Sequence, residues 1–192
     1  MGIEFELKYA ASQQELQAVK KDISGQWQRI SMETTYYDTE AGDFGKRHWT
    51  IRRRLENGRS VCTVKTPADN LGRGEWETEA DNIEMAIPML CKLGAPLELE
   101  ELAKKGLVAL CGARFIRYAQ LLELEDASVE LALDAGTLFA GSRQQPFCEV
   151  EVEQKSGSRE QVVKYAAALA KTYGLQSETK SKFARARALR EG

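Results

Sequence analysis

At 192 residues, the chain is long enough for one substantial hydrophobic core, and no Pro/Gly/Ser-rich stretch divides it, so residues 1–192 read as one domain. A formal net charge of −2, from 27 Lys+Arg against 29 Asp+Glu, excludes a global field that would recruit nucleic acid or a membrane surface. Cys62, Cys91, Cys111 and Cys148 show no CxxC or zinc-like spacing, and the one histidine, His48, argues against a histidine-based metal site or triad; any metal would be oxygen-bound, as suits Mg²⁺ or Mn²⁺. Charges begin at Glu4 and no apolar run approaches membrane length, so the expectation is a cytoplasmic protein without a signal peptide, its cysteines reduced.

The opening stretch, Gly2 to Tyr9, alternates with the period of a β-strand. Glu4, Glu6 and Lys8 share one face and Ile3, Phe5, Leu7 and Tyr9 the other. Two carboxylates on one strand face repel unless a cation lies between them, and a nearby lysine suits an anion bridged to that cation. The same alternation also fits a half-buried strand with a solvated charged face. Ser12-Gln13-Gln14-Glu15 is a capping box, and Leu16, Val19 and Ile23 follow at helical spacing. In 50–55, Arg52 and Arg54 share a face; in 61–66, Lys65 lies with Val61 and Thr63. Arg73, Glu75, Glu77 and Glu79 oppose Trp76. The stretch 82–109 reads as short helices broken at Pro88, at 94–96 and at Gly106.

Alternation returns at 115–125, where Arg117, Glu123 and Glu125 oppose Ile116, Tyr118, Leu122 and Leu124. It continues at 129–134, with Glu130 and Asp134 against Val129, Leu131 and Leu133. Residues 147–153 nearly repeat the opening, with Glu149, Glu151 and Glu153 on one side. A second cap at Ser158 starts a helix through Val162, Tyr165, Ala166, Leu169 and Tyr173, with Gly174 as its stop. A last helix covers 181–190; Lys182 and Arg185 point one way, and Arg187 and Arg190 face water. This basic tail lacks the aromatic interleaving of a nucleic-acid binder. A sheet with one wet side accounts for these patterns. A curled sheet does too, and it alone brings the acidic first and last segments opposite the basic Arg52, Arg54 and Lys65.

Glu4-Phe5-Glu6-Leu7-Lys8 matches an ExExK signature, followed in order by Tyr36-Tyr37-Asp38-Thr39, Ile51-Arg52-Arg53-Arg54, Thr63-Val64-Lys65, Leu133-Asp134, 148–153 and Ser181-Lys182-Phe183-Ala184-Arg185. Together these blocks resemble the CYTH superfamily, the triphosphate tunnel metalloenzymes, and look closest to its bacterial inorganic triphosphatases. The resemblance implies an α+β, mainly antiparallel β fold, an eight-stranded closed β-barrel with a polar lumen and helices outside. It implies a divalent metal, Mg²⁺ or Mn²⁺, on Glu4, Glu6, Glu149 and Glu151 with Asp134 assisting. Lys8, Arg52, Arg54, Lys65, Arg117 and Lys182 would grip triphosphate oxygens, with Arg185 in support, and Glu4, Glu6, Lys8 and Glu151 would form the catalytic set. Arg73, Glu75 and Glu77 share the inward parity, and Glu153 falls near a tunnel mouth.

The implied reaction is metal-dependent hydrolysis of the terminal phosphate of inorganic triphosphate. The superfamily also contains thiamine triphosphatases and class IV adenylyl cyclases, and a nucleoside triphosphatase or a non-catalytic polyphosphate-binding module are further alternatives. The His-Phe opening of many cyclase relatives is absent before Glu4, while Trp49, Trp76 and Tyr36 are the aromatics that a thiamine group could use. His48 and Trp49 replace the usual leucine-centred entry to the arginine strand. The helical phosphate-binding domain that often follows such barrels does not appear before Gly192, so the expectation is a barrel acting alone or with a partner. Oligomeric state leaves no mark in the sequence.

Overall fold

The computed structural model describes residues 5–69 and 72–191. Glu4 therefore lies outside the described residues, as does the side chain of Arg73. Nine strands are found among them: β1 (Glu6–Ala10), β2 (Gln28–Asp38), β3 (Thr50–Glu56), β4 (Arg59–Asp69), β5 (Gly72–Glu79), β6 (Val108–Glu123), β7 (Ala127–Ala140), β8 (Arg143–Gly157) and β9 (Gln176–Ser177). Six helices accompany them: α1 (Gln13–Asp22), α2 (Asp43–Lys46), α3 (Ile83–Lys92), α4 (Glu98–Ala103), α5 (Arg159–Tyr173) and α6 (Lys182–Glu191). None is long and apolar enough to cross a membrane.

The strands form one antiparallel sheet in the order β5-β4-β3-β2-β6-β7-β8-β1-β9. This corrects the expected count of eight, and among the described residues no ladder joins β5 to β1 or β9. The physical reason is at the β1 edge. There β9 pairs with Tyr9 and Ala10, so hydrogen-bonding positions that closure could use are already taken. The long ladder β6-β7-β8 carries the register that matters for the site: Arg117 faces Asp134, Asp134 faces Glu149, and Glu151 faces Lys8.

Three apolar clusters hold the layers together. On the outer face of β7 and β8, Val129, Leu131, Leu133, Val150 and Val152 pack against Leu16 and Val19 of α1 and Val162, Ala166 and Leu169 of α5. On the outer face of β3 and β4, Ile51, Cys62 and Val64 meet Ile83, Ile87 and Leu90 of α3 and Leu99 and Leu102 of α4. The third cluster lies on the opposite face of the sheet: Met32, Tyr36, Phe115, Leu138 and Phe147 take Phe183, Ala186 and Leu189 of α6. Residue parity forces this division, because Val150 and Val152 point one way and Glu149 and Glu151 the other.

The capping box at Ser12 forms, with Glu15 N–H on the Ser12 hydroxyl and the Glu15 carboxylate on the Ser12 N–H. Gly174 ends α5 in the left-handed conformation, φ 71°. Pro88 does not break its helix, contrary to expectation. A proline inside a helix costs about 3 kcal/mol, but α3 buries Ile83, Ile87 and Leu90. At about 1.5–3 kcal/mol for each large side chain, burial wins.

Candidate active site

One cavity of about 360 Å³ gathers side chains from β1, β2, β3, β4, β6, β7, β8 and α6. Of the residues singled out from sequence, Glu6, Lys8, Arg52, Arg54, Lys65, Arg117, Glu151 and Lys182 line it. Asp134 and Glu149 are fully buried, at 0% exposure, and reach the same cluster from beneath. Arg185 is not on the cavity wall; it sits behind, paired with Glu149 and, at 3.6 Å, with Glu178.

The acidic side is a compact knot. Carboxylate oxygens of Asp134, Glu149 and Glu151 lie within 4.8 Å of one another. Arg117 spans Asp134 with a two-pronged fork, Nε to Oδ1 and Nη2 to Oδ2, both 2.8 Å, and also donates to Glu151. Lys182 Nζ sits 2.7 Å from Asp134 and 2.8 Å from Glu151, and pairs with Glu149. Phe115 and Phe147 flank that ammonium at 5.1 and 5.5 Å, a cation–π arrangement.

Burial and opposing charge set the protonation states here. Burial, reinforced by the neighbouring Glu151 and opposed by Lys182, pushes Glu149 up to about 7. Burial would also raise Glu151, but Lys182 and Arg117 outweigh it and hold its carboxyl well below the usual range. Burial would strip the proton from Lys182, and the carboxylates of Asp134, Glu151 and Glu149 reverse that, holding its ammonium above the ordinary lysine value.

The basic side is less satisfied. Arg52 and Arg54 project inward from β3, and their buried Nε atoms have no hydrogen-bond partner. Burial, with Arg52 beside it, lowers Arg54, although Tyr36 and Glu56 oppose the shift. Arg54 reaches Glu56 at 3.1 Å, Lys65 reaches Glu75 at 2.9 Å, and Lys8 reaches Glu6 at 3.3 Å. Glu77 accepts from Thr63 at 3.2 Å.

Three further charged residues join the cavity wall, Glu130 and Glu153 from the strand alternation and Lys155, which was not singled out. They line it near Glu6, joined by Lys155 contacts of 3.8 Å to Glu130 and 2.8 Å to Glu153. Lys155 continues the odd-numbered parity of 149–153, so the signal was present one step further along. An arc of Ile30, Met32, Tyr36, Phe115 and Phe183 forms an apolar wall. Its β2 members carry no charge, so charge alternation does not reveal them. Trp49 and Trp76 pack instead on the outer cluster beneath α3 and α4.

A family model described as CYTH domain matches residues 2–186. The inorganic triphosphatase of Haemophilus influenzae is 30% identical over 161 residues, 81% of this chain but 46% of that protein. The chain thus spans about half the length of this curated relative. Among solved structures, a candidate adenylyl cyclase from Hippeastrum, described as having a dominant triphosphatase activity, superposes with a TM-score of 0.68 at 21% identity, covering 97% of this chain and 96% of that one. A candidate adenylate cyclase from Bacillus halodurans gives 0.64 at 17% identity, covering 95% and 96%. At those identities the likeness is one of fold.

Proposed function

The chain belongs to the CYTH domain family, and on that premise we propose that it is a metal-dependent hydrolase that removes the terminal phosphate of inorganic triphosphate. The observation that carries this reading is the charge division of one cavity: Arg52, Arg54 and Lys65 on β3 and β4 look across at Glu151 and the knot on β7 and β8. A pure anion binder gains nothing from buried carboxylates beside its anion. In this reading the curled sheet acts as a tunnel, and residues 1–192 work as one unit.

The donor set suits a hard divalent cation, Mg²⁺ or Mn²⁺, because it offers carboxylate oxygens only and already holds an ammonium as a stand-in cation. Glu4, Glu6, Glu149 and Glu151 would hold it, with Asp134 in support. When bound, such an ion supplies neutralisation of phosphate charge and polarisation of the attacking water. Arg52 and Arg54 offer planar forks to the phosphate oxygens, and Lys8, Lys65 and Lys182 point charges. Glu6 and Glu151 orient the attacking water in line with the terminal phosphorus. Holding the chain of phosphates straight and neutralised supplies most of the acceleration such a reaction needs. Arg117 and Arg185 contribute by fixing the carboxylates.

The apolar arc favours one second reading, a thiamine or nucleoside triphosphatase whose organic group lies on Tyr36 and Phe115. Against it, Tyr36 already packs on Phe183, ring centroids 4.9 Å apart and planes tilted by 46°, and Trp49 and Trp76 are on the far side of the sheet. The four free cysteines support a reducing, cytoplasmic setting. A panel of tripolyphosphate, ATP and thiamine triphosphate with Mg²⁺ or Mn²⁺ tests the assignment by following phosphate, diphosphate and cyclic AMP separately. Phosphate from tripolyphosphate, abolished in Glu6→Gln, is the expected result. Cyclic AMP with diphosphate selects a cyclase, and binding without turnover selects a polyphosphate-binding module.

A further inference from the structure

We propose that Lys182 is a counter-ion switch: its ammonium fills the carboxylate knot while no metal is bound, and an entering divalent cation expels it toward the triphosphate. The inference rests on the metal reading above. Its ground is the position of Nζ, 2.7 Å from Asp134 and 2.8 Å from Glu151 and paired with Glu149, which is the point those three carboxylates would offer a metal.

Occupancy of one place by two cations calls for an exchange. The knot holds three carboxylates, Asp134, Glu149 and Glu151, against three cations, Arg117, Lys182 and Arg185. An entering dication would meet the Lys182 ammonium on the same three carboxylates, where Asp134 and Glu149 have no exposure to water that could screen the two like charges. Like charges about 4 Å apart repel by roughly 4 kcal/mol even at an effective dielectric constant near 20, so one resident cation leaves.

Geometry selects which. Arg117 is fixed by its fork on Asp134, and Arg185 is braced between Glu149 and Glu178. Lys182 is a point charge on a flexible stem at the first residue of α6, and it lines the cavity. The helix need not move. Ser181 Oγ accepts from the Ala184 N–H at 3.1 Å, and Phe183 packs against Tyr36. Lys182 and Arg52 line the same cavity, and the exchange asks only that one side chain turn its ammonium from the knot into that shared space. Metal binding thereby supplies the phosphate subsite with a further cation, so the two ligands bind cooperatively.

The test is binding of Mn²⁺ alone, without any phosphate, to full-length wild type, Lys182→Gln and Lys182→Met, read by titration calorimetry. An ammonium that occupies the knot nine-tenths of the time weakens apparent metal affinity about tenfold. Both variants should therefore bind Mn²⁺ at least about tenfold more tightly than wild type; equal or weaker binding by variants with native circular dichroism overturns the switch. Should the variants misfold, wild type decides: Lys182 should resist amine-reactive labelling without metal and become several-fold more reactive with Mn²⁺, and unchanged reactivity overturns the proposal. Wild type that hydrolyses tripolyphosphate while the variants bind metal no better sinks the switch alone. Tighter metal binding by the variants in a protein without turnover sinks the hydrolase reading alone.

Discussion

Arg117 and Arg52 are both arginines on inward-facing strand positions, yet their surroundings give them opposite duties. Arg117 satisfies Asp134 at two 2.8 Å contacts and bonds Glu151 as well. Removing it takes the fork from fully buried Asp134 and a donor from Glu151, leaving both to Lys182, and breaking a buried pair costs about 3–5 kcal/mol. Arg117→Met should therefore lose about that much stability in urea unfolding, and Arg117→Lys should not restore it, since an ammonium cannot reproduce the fork. Arg52 has a buried Nε without a partner and lies beside Arg54. A buried N–H without a partner burdens the fold and suits an anion. Arg52→Met should leave stability unchanged or raise it, while the KM for tripolyphosphate rises about tenfold or more, the worth of about 1.5–3 kcal/mol in charged hydrogen bonds. A large stability loss from Arg52→Met would show that its role is structural.

At the scale of elements, the close approach of β6 and β7 is what lets Arg117 reach across the knot. Gly136 makes it possible: a Cβ there would lie 2.1 Å from the Arg114 carbonyl oxygen and 2.5 Å from the Phe115 Cα. Gly136→Ala must push the strands apart, at about 1–3 kcal/mol for overpacking, and circular dichroism should register a fall of several degrees in Tm. A Tm equal to wild type would mean the strands have room to spare. The two sheet faces can be checked separately through their thiols. Burial pushes Cys62, under α3, and Cys111, under α6, up to about 11. Only thiolate reacts, so at pH 8 both should stay unlabelled until the protein is unfolded, when all four cysteines react. Labelling of Cys111 in native protein would mean that α6 does not stay docked.

Those same elements show why the sequence was readable in some places and not others. Strands β1, β3, β4 and β8 announced themselves through charge on one face, because that face lines the cavity, and β5 did so through Glu75 and Glu77, which answer Lys65 and Thr63. Strand β2 did not, since Ile30, Met32 and Tyr36 face inward to meet α6 while Arg29, Ser31 and Glu33 take the other face, so its charge does not mark the cavity side. Closure of the sheet was beyond reach as well: the two-residue β9 that occupies the β1 edge has no pattern to read. Within the site, residue type and parity brought Glu6, Lys8, Arg52, Arg54, Lys65, Glu151 and Lys182 to the cavity wall. Pairing was not legible. That Arg117 is committed to Asp134, and that Arg185 lies behind the wall on Glu149, depends on cross-strand register and helix docking, which a single sequence does not encode locally.

For the molecule as a whole, the cavity is a store of electrostatic strain divided between two halves. The β7-β8 half is balanced by its own arginines and lysine, and needs no ligand to be stable. The β3-β4 half converges Arg52, Arg54 and Lys65 on one volume, with carboxylates answering only part of that charge. Tripolyphosphate should therefore stabilise the protein even without metal, by filling the half that repels itself. At a concentration about 100 times its Kd, a ligand specific to the native state adds about 2.7 kcal/mol. For a protein of this size each kcal/mol moves the Tm by about 2–4 °C, so a rise of about 5–10 °C is expected in a thermal shift assay. Sodium chloride at the same ionic strength screens the repulsion only diffusely, and chloride cannot bridge three side chains at once, so its effect should be far smaller. In Arg52→Met the tripolyphosphate shift should shrink markedly, and in a triple variant that also neutralises Arg54 and Lys65 it should vanish. A shift matched by salt alone would mean that the three cations are already screened by water, and that the basic wall does not act as one anion site.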